Sequence, residues 1–305
     1  MRVVVDNKNI AFKWVSVTLS LGTIARSFTL VIADRTSSIL MGDRIQISTD
    51  SGRLLIDAVI EYISCDSNQS YTYAGRNKSR MIVDSFAEKT VQYSEIQDIV
   101  TVLDTSRKFG VSIRGNARLP KDERRTILAG TNLGVEFANI AYAASSVIHS
   151  DASGDINIEG EPKYSDQQFM LGGNIRARTF VFNQTLQYDR YIVKCQSNLL
   201  LNDSLNADIS GEFGSGERVK VVVSDSNLNA QECATLAQHL YNLDRRSSLQ
   251  YEIEIDTTIN VDLNHLYSVE DAPLGISRLM RANKIVVSSG IDDDKTLVTL
   301  GNADA

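Results

Sequence analysis

One stretch, residues 42–76, constrains this chain more than any other. Ile45 and Ile47 alternate with Arg44, Gln46 and Ser48, the two-residue period of a strand with one buried face. Asp50, Ser51 and Gly52 follow as turn chemistry, because glycine tolerates positive φ and an aspartate side chain bonds its own backbone. Residues 54–62 make a longer strand, apolar enough to be covered in part on both faces. Tyr71, Thr72 and Tyr73 close the unit with aromatic and β-branched residues. The pattern predicts a compact antiparallel unit, and no chemistry is visible in it.

The end of the chain repeats this order. Residues 265–269 precede Asp271 and Gly275, as Ile45 and Ile47 precede Asp50 and Gly52. Arg278, Leu279 and Met280 then parallel Arg53, Leu54 and Leu55. A long strand follows in each, then a gap, then residues 297–301 against 72–75, and the spacing from Leu54 to Gly75 nearly equals that from Leu279 to Gly301. Two similar small β-barrels in one chain are the simplest reading.

Between them the period changes. Ser94 and Gln97 form a capping box, and Ile96, Ile99, Val100 and Leu103 fall at helical spacing up to Gly110. A second helix runs over residues 132–145, with Leu133, Phe137, Ile140, Ala141 and Ala144 on one face. Short strands follow each helix, at 111–113 and 155–158. Residues 77–87 read as one or two helical turns. Residues 180–182, 191–195 and 219–223 are strands, and the glycine-bearing segment 203–218 reads as a long loop or hairpin tip. A third helix starts at Asn229 and runs to about 244, followed by the alternating strand 251–256.

The fold class is therefore α+β, mainly β, with an α/β domain between two similar barrels. The boundaries are 1–90 for the first barrel, completed by strands from 164–200, then 91–163 for the α/β insert, then 164–305 for the second barrel with its helix at about 229–244.

Composition narrows function. At 305 residues, 43% hydrophobic and 23% charged, the chain has the make-up of a soluble globular protein with two or three domains. No apolar run is long enough to span a membrane as a helix, and the N-terminus carries no secretory pattern, so the expected place is the cytoplasm of synthesis. Cys65, Cys195 and Cys233 are odd in number and widely spaced, which fits reduced, mostly buried thiols rather than a disulfide framework. A net charge of −7 argues against a general nucleic-acid binder.

Enzyme signals are weak. HExxH, GxSxG and GxxxxGK[ST] are all missing. The Gly211 to Gly216 segment lacks the lysine and hydroxyl of a phosphate loop. His149, His239 and His265 are scattered, and Asp292, Asp293 and Asp294 read as a hairpin tip. No catalytic residue, cofactor or metal ligand is assigned.

The ordered features resemble the baseplate hub proteins of contractile-tailed phages, the Mu-like tail protein family. The resemblance rests on Gly42-Asp43-x-Ile45-x-Ile47, the strand 54–62, and Tyr73-Ala74-Gly75-Arg76-Asn77-Lys78-Ser79 with Val83-Asp84. It continues in the helix leading to Phe109-Gly110-Val111, Asn174-Ile175, residues 189–193, the helix ending in Arg245-Arg246, the strand 251–256, and Leu274-Gly275-Ile276. Departures are local: Tyr142-Ala143-Ala144-Ser145 stands where an Ala-Arg pair is usual, and no Gly-Trp follows the third helix.

The resemblance implies a structural hub without catalysis, a homotrimeric pseudo-sixfold ring in the virion tail, assembled in the host cytoplasm. Its implied partners are a central spike protein and the tail tube or adjoining baseplate proteins. DNA would pass through without specific binding, and this chain would not enter a membrane. Two barrels in each of three subunits match a sixfold tube to a threefold spike. Arg53, Arg76 and Arg278, at repeated positions beside strands, are candidates for ion pairs between subunits. The alternatives are a tail-associated cell-wall-degrading enzyme and a β-rich carbohydrate-binding module.

Overall fold

A computed structural model describes residues 1–33, 39–67, 69–103, 109–115, 117–118, 125–144, 146–183, 187–195, 209–224, 230–291 and 294–303. The chain is mainly β and divides into two compact units, residues 1–178 with 252–300, and residues 179–251 with 301–305.

The first unit is built on one long sheet. Its first meander is β5 (Arg44–Ser48), β6 (Leu54–Cys65) and β7 (Tyr71–Asn77), paired antiparallel in that order. Ile45, Ile47, Ile56, Ala58 and Ile60 are buried, as the two-residue period requires. Gly52 takes φ +87° and donates its N–H to the Thr49 carbonyl at 3.0 Å, closing the turn. β1 (Arg2–Val5) pairs with β5, and β2 (Lys8–Asn9) pairs with β1. β3 (Trp14–Ser20) and β4 (Ser27–Ile32) form a hairpin whose second strand pairs with β7.

The second meander has the same order. β19 (His265–Asp271) turns through a single 3-10 turn (Ala272–Leu274) into β20 (Ile276–Gly290), which neighbours β21 (Asp294–Asn302). Asp271 caps the turn by accepting from the Leu274 N–H, and Gly275 ends it at φ +64°. Both meanders thus turn on an aspartate followed by a positive-φ glycine, as the sequence comparison implied.

Among the described residues the ladder does not close into a barrel. The reason lies in β3, whose partners are β4 on one side and residues 284–290 of β20 on the other. That hairpin joins the two meanders into one continuous sheet. β13 (Lys163–Met170) lies parallel to β19, in the second meander rather than the first.

The helical segment of this unit has its own core. α2 (Ile96–Leu103) and α3 (Leu133–Ala143) pack Ile96, Ile99, Leu133, Phe137 and Ile140 around Tyr93, Val111, Ile127, Ile148 and Ile156, all buried. Its strands are β8 (Val91–Tyr93), β9 (Ile113–Arg114), β10 (Arg125–Ile127), β11 (Val147–Ser150) and β12 (Ile156–Glu159). The cap of α2 differs from the capping box: Asp98 reaches back to the N–H groups of Ser94 and Glu95 at 2.9 and 3.2 Å, because its shorter carboxylate sits one residue deeper in the first turn. Asn132 caps α3 by accepting from the Val135 N–H at 3.0 Å. Residues 77–87 hold one short helix, α1 (Arg80–Val83).

In the second unit, β15 (Arg190–Cys195) is central, with β16 (Ile209–Gly214) antiparallel and β17 (Val219–Ser224) parallel to it. α4 (Ala230–Ser248) packs Cys233 and Ala237 onto Tyr191 and Val193. Its expected cap, Asn229, lies outside the described residues, and it runs four residues beyond the expected end. The glycine-bearing segment read as a loop contains strand β16. Gly211 is there because α4 crosses it: a Cβ would stand 2.1 Å from the Ala234 nitrogen. Residues 179–182 of β14 (Ala177–Phe182) run beside residues 249–251 of β18 (Leu249–Ile255), with Asn183 N–H donating to Ser248 O at 2.7 Å.

Candidate assembly site

The motif from Gly75 to Ser79 sits where the long sheet meets the helical segment. Each of its residues has a distinct structural demand. Opposite Gly75 the β6–β7 register shifts, so that Ile60 faces Gly75 and Tyr62 faces Ala74. Glu61 is the extra residue of this bulge. A Cβ on Gly75 would stand 1.9 Å from the Val59 carbonyl oxygen, so only glycine fits. The bulge turns Glu61 toward two arginines: Arg76 donates to both carboxylate oxygens at 2.9 and 3.0 Å, and Arg80 donates to one at 3.0 Å. Arg76 also holds Asp84 at 2.7 and 3.0 Å. Hydrogen bonds to Glu61 and then Asp84 raise its pKa beyond the ordinary arginine value.

Asn77 and Ser79 are fully buried. Asn77 Nδ2 donates to Ser150 Oγ at 2.9 Å and to the Asp151 carbonyl at 3.2 Å. Ser79 Oγ lies 2.6 Å from Asn77 Oδ1 and 3.0 Å from the Ile24 carbonyl. Lys78 pairs with Asp155 at 2.6 Å and donates to the Gly110 carbonyl at 2.8 Å. Arg26 completes the seam, donating to the carbonyls of Ser150 and Leu55 at 2.8 Å each. Burial pushes its guanidinium down to about 10, a shift opposed by Asp151. These bonds tie β6 and β7 to β11, so the motif is a joint that fixes the helical segment on the sheet.

A second polar cluster links β11, β12 and β19. Glu159 accepts from Asn264 Nδ2 at 2.9 Å and faces His149 Nε2 at 3.5 Å and Lys163 Nζ at 3.4 Å. Bonding to His149 first, then to Asn264, brings its carboxyl down to about 2 despite burial. Buried Asn264, at φ +59°, also receives a bond from buried Arg281. No sequence spacing announces this cluster, because Glu159 and its donor Asn264 are 105 residues apart in sequence.

The three arginines chosen from sequence fall into different settings. Arg53 reaches within its own chain to Asn260 Oδ1 at 2.9 Å and Asp262 Oδ1 at 2.6 Å. Arg76 belongs to the joint just described. Arg278 stands exposed on β20 opposite Val269, with no ion-pair partner among the described residues. The structure does not bring the three together. Among the described residues, no group of three His, Cys, Asp or Glu is arranged to hold a metal, and no helix is long and apolar enough to cross a membrane.

With this geometry in hand, known structures give a consistent answer. The 43 kDa tail protein of prophage MuSo2 from Shewanella oneidensis superposes with a TM-score of 0.79 at 17% identity, covering 99% of this chain and 98% of that one. The chain has the fold of the Mu-like prophage tail proteins. A tail protein from Neisseria meningitidis MC58 superposes at 0.77 with 16% identity, over 99% and 95% of the two chains. A component of the E. coli type VI secretion system, which exhibits structural similarity to the T4 bacteriophage tail proteins gp27 and gp5, superposes at 0.58 with 11% identity, over 98% and 76%. No protein-family model matches the sequence, and no curated protein matches it. The tail-protein fold therefore rests on three-dimensional likeness along the whole chain, and the Gly75–Ser79 joint lies inside it.

Proposed function

We propose that this chain is a structural component of a phage tail baseplate, the hub that joins the tail tube to the central spike. One observation carries the proposal: a tail-protein fold matched over 99% of the chain, within which the same three-strand meander occurs twice. A homotrimer of such chains would present six similar meander modules on one side and threefold features on the other. That geometry fits a sixfold tube and a threefold spike. The partners are a second and third copy of the chain, the spike, and the tail tube or adjoining baseplate proteins. The chain works in the virion and is assembled in the host cytoplasm.

No catalytic role is proposed. The hydrogen bonds of the two clusters hold strands together, and the similar structures are tail or secretion-system components. The net charge of −7 per chain would keep DNA moving through a central opening without retention. Arg278, exposed and unengaged among the described residues, is the best placed of the three arginines for an ion pair between copies; Arg53 and Arg76 are already engaged within the chain.

Light scattering on the purified chain tests the reading. The expected mass is three times 33.7 kDa, and negative-stain images should show a ring with six lobes. A monomer at all concentrations would refute it.

A further inference from the structure

His149 of β11 has both ring nitrogens turned toward acceptors. Its side chain is nine-tenths buried. Nδ1 lies 3.4 Å from the Ser150 carbonyl oxygen, and Nε2 lies 3.5 Å from a carboxylate oxygen of Glu159. Among the described residues no donor faces either nitrogen, and Nε2 makes no hydrogen bond. A neutral imidazole carries one N–H, so one of its nitrogens always meets an acceptor with a lone pair. Exchange of tautomers moves that mismatch from one side to the other and never removes it. Only the imidazolium, a donor at both nitrogens, matches both neighbours. The Glu159 contact is also longer than a charge-assisted bond of about 2.8 Å, which leaves it room to close.

The charges around the ring decide what a second proton meets. Glu159 of β12 is the anion in contact, and it stays ionised far below neutral pH. Arg26 opposes the proton, since its Nε donates to the same Ser150 carbonyl at 2.8 Å, but Asp151 offsets that cation. Lys163 of β13, opposite His265 on the ladder, is 3.4 Å from Glu159; it is 64% exposed, so water screens it. Arg281 of β20 reaches the cluster through Asn264, which itself donates to Glu159. Arg114 of β9 stands across Asn157 from His149 and lies 3.7–3.8 Å from Asp155 and Asp151. Toward α3, β11 gives only Ile148 to an apolar core.

We propose that His149 is a proton-operated clasp at the seam between the helical segment and the second meander. One proton from water binds the bare nitrogen, and no other covalent bond forms or breaks. The ring then donates on both sides and draws Glu159 onto Nε2. Asn264, in the turn before β19, holds the far side of Glu159, so the closure is felt across the seam. The stabilisation is present in acid and is lost as the pH rises. The clasp lies within one chain and stands whether or not copies assemble.

Two exchange measurements on the full chain test it. Deuterium uptake at the histidine C2 carbon, read by peptide mass spectrometry, reports the protonation of His149, His239 and His265 separately. Backbone amide exchange reports the seam. From about pH 8 to about pH 5.5, on either side of the ordinary imidazole value, His149 should gain its second proton. Amide protection in β11, β12 and the start of β19, corrected for intrinsic rates, should rise about two- to fivefold with the same midpoint, the range of a modest ion pair. Protection in β15 should not change. The rise should vanish in His149→Gln, which takes up no proton, and in Glu159→Gln, where the ring has no carboxylate to draw in. A His149 of structural value alone would instead lose the same factor at both pH values in His149→Gln, which overturns the clasp. A ring still neutral at about pH 5.5, or a rise that survives either variant, overturns it too. Should a variant fail to fold, the parent chain decides: a seam midpoint away from that of His149 refutes the proposal, and coincidence with it supports it.

Discussion

Asn77→Ala should loosen the helical segment from the sheet without touching any surface. The amide makes three side-chain contacts: donors to Ser150 Oγ at 2.9 Å and the Asp151 carbonyl at 3.2 Å, and an acceptor 2.6 Å from Ser79 Oγ. The residue is fully buried, so water cannot replace them. Ser79 keeps the Ile24 carbonyl, Ser150 keeps the Arg26 N–H, and the Asp151 carbonyl keeps the Gly154 N–H at 3.2 Å. At about 1 kcal/mol net per lost hydrogen bond, losing the three costs about 3 kcal/mol. Asn77→Asp should be worse at neutral pH. It keeps the acceptor, loses both donors and buries a charge. The chain has two units and need not unfold in one step, so hydrogen exchange by mass spectrometry is the assay of choice. Protection should fall in β11 and β12 and hold in β15. A loss of under about 1 kcal/mol, or unchanged exchange in β11 and β12, would refute the view that this motif is a joint.

Three further outcomes follow from the same geometry. Gly75→Ala places a methyl carbon 1.9 Å from the Val59 carbonyl oxygen, so β6 and β7 must separate at the bulge; a fall in melting temperature of several degrees is expected, and an unchanged melt would show that the strand gives way freely. Glu159 has a folded pKa of about 2 against an ordinary value of 4.5, so its stabilisation is full above pH 4.5 and lost as pH falls through about 2. Glu159→Gln should therefore be less stable than the parent at pH 7, by about 1–2 kcal/mol once the full shift is discounted for partial exposure, and the gap should close toward pH 2; a gap independent of pH contradicts the assignment. The assembled chain should not retain duplex DNA in a filter-binding assay at physiological salt, and retention that persists as salt rises would remove the acidic-ring reading.

How much of this was legible in sequence depends on where the information lay. The two meanders were readable because their signals are local. Period-two alternation at Ile45 and Ile47, and an aspartate followed by a positive-φ glycine at each turn, are properties of a few consecutive residues. The three helices were readable for the same reason, although the cap of α2 fell to Asp98 rather than Gln97. Pairing between distant segments was not readable. Nothing in residues 14–20 states that β3 bridges β4 and β20, and nothing around residue 165 states that β13 runs parallel to β19. Gly211 misled because a glycine that admits a crossing helix has the same one-letter appearance as a glycine in a loop. Among the arginines, repeated sequence position could not separate Arg53, which closes a contact to Asp262, from Arg278, which stands exposed.

The motif at residues 73–79 shows how a sequence signature can belong to a fold without belonging to a reaction. Its glycine is demanded by the close approach of the Val59 carbonyl, its arginine by a bulged glutamate, and its asparagine and serine by the Asp151 and Ile24 carbonyls. None of these groups is free to meet a substrate. Polar residues in such a joint fix one packing of the helical segment against the sheet, since a slipped arrangement would strand several buried donors and acceptors at once. A chain that assembles as proposed would gain from that uniqueness. A ring of copies closes only if every copy has the same shape, and a joint that admits two arrangements would open the ring or spread its edges. If the chain assembles as proposed, softening the joint with Asn77→Ala should therefore broaden the distribution of assembled masses, even where each chain still folds.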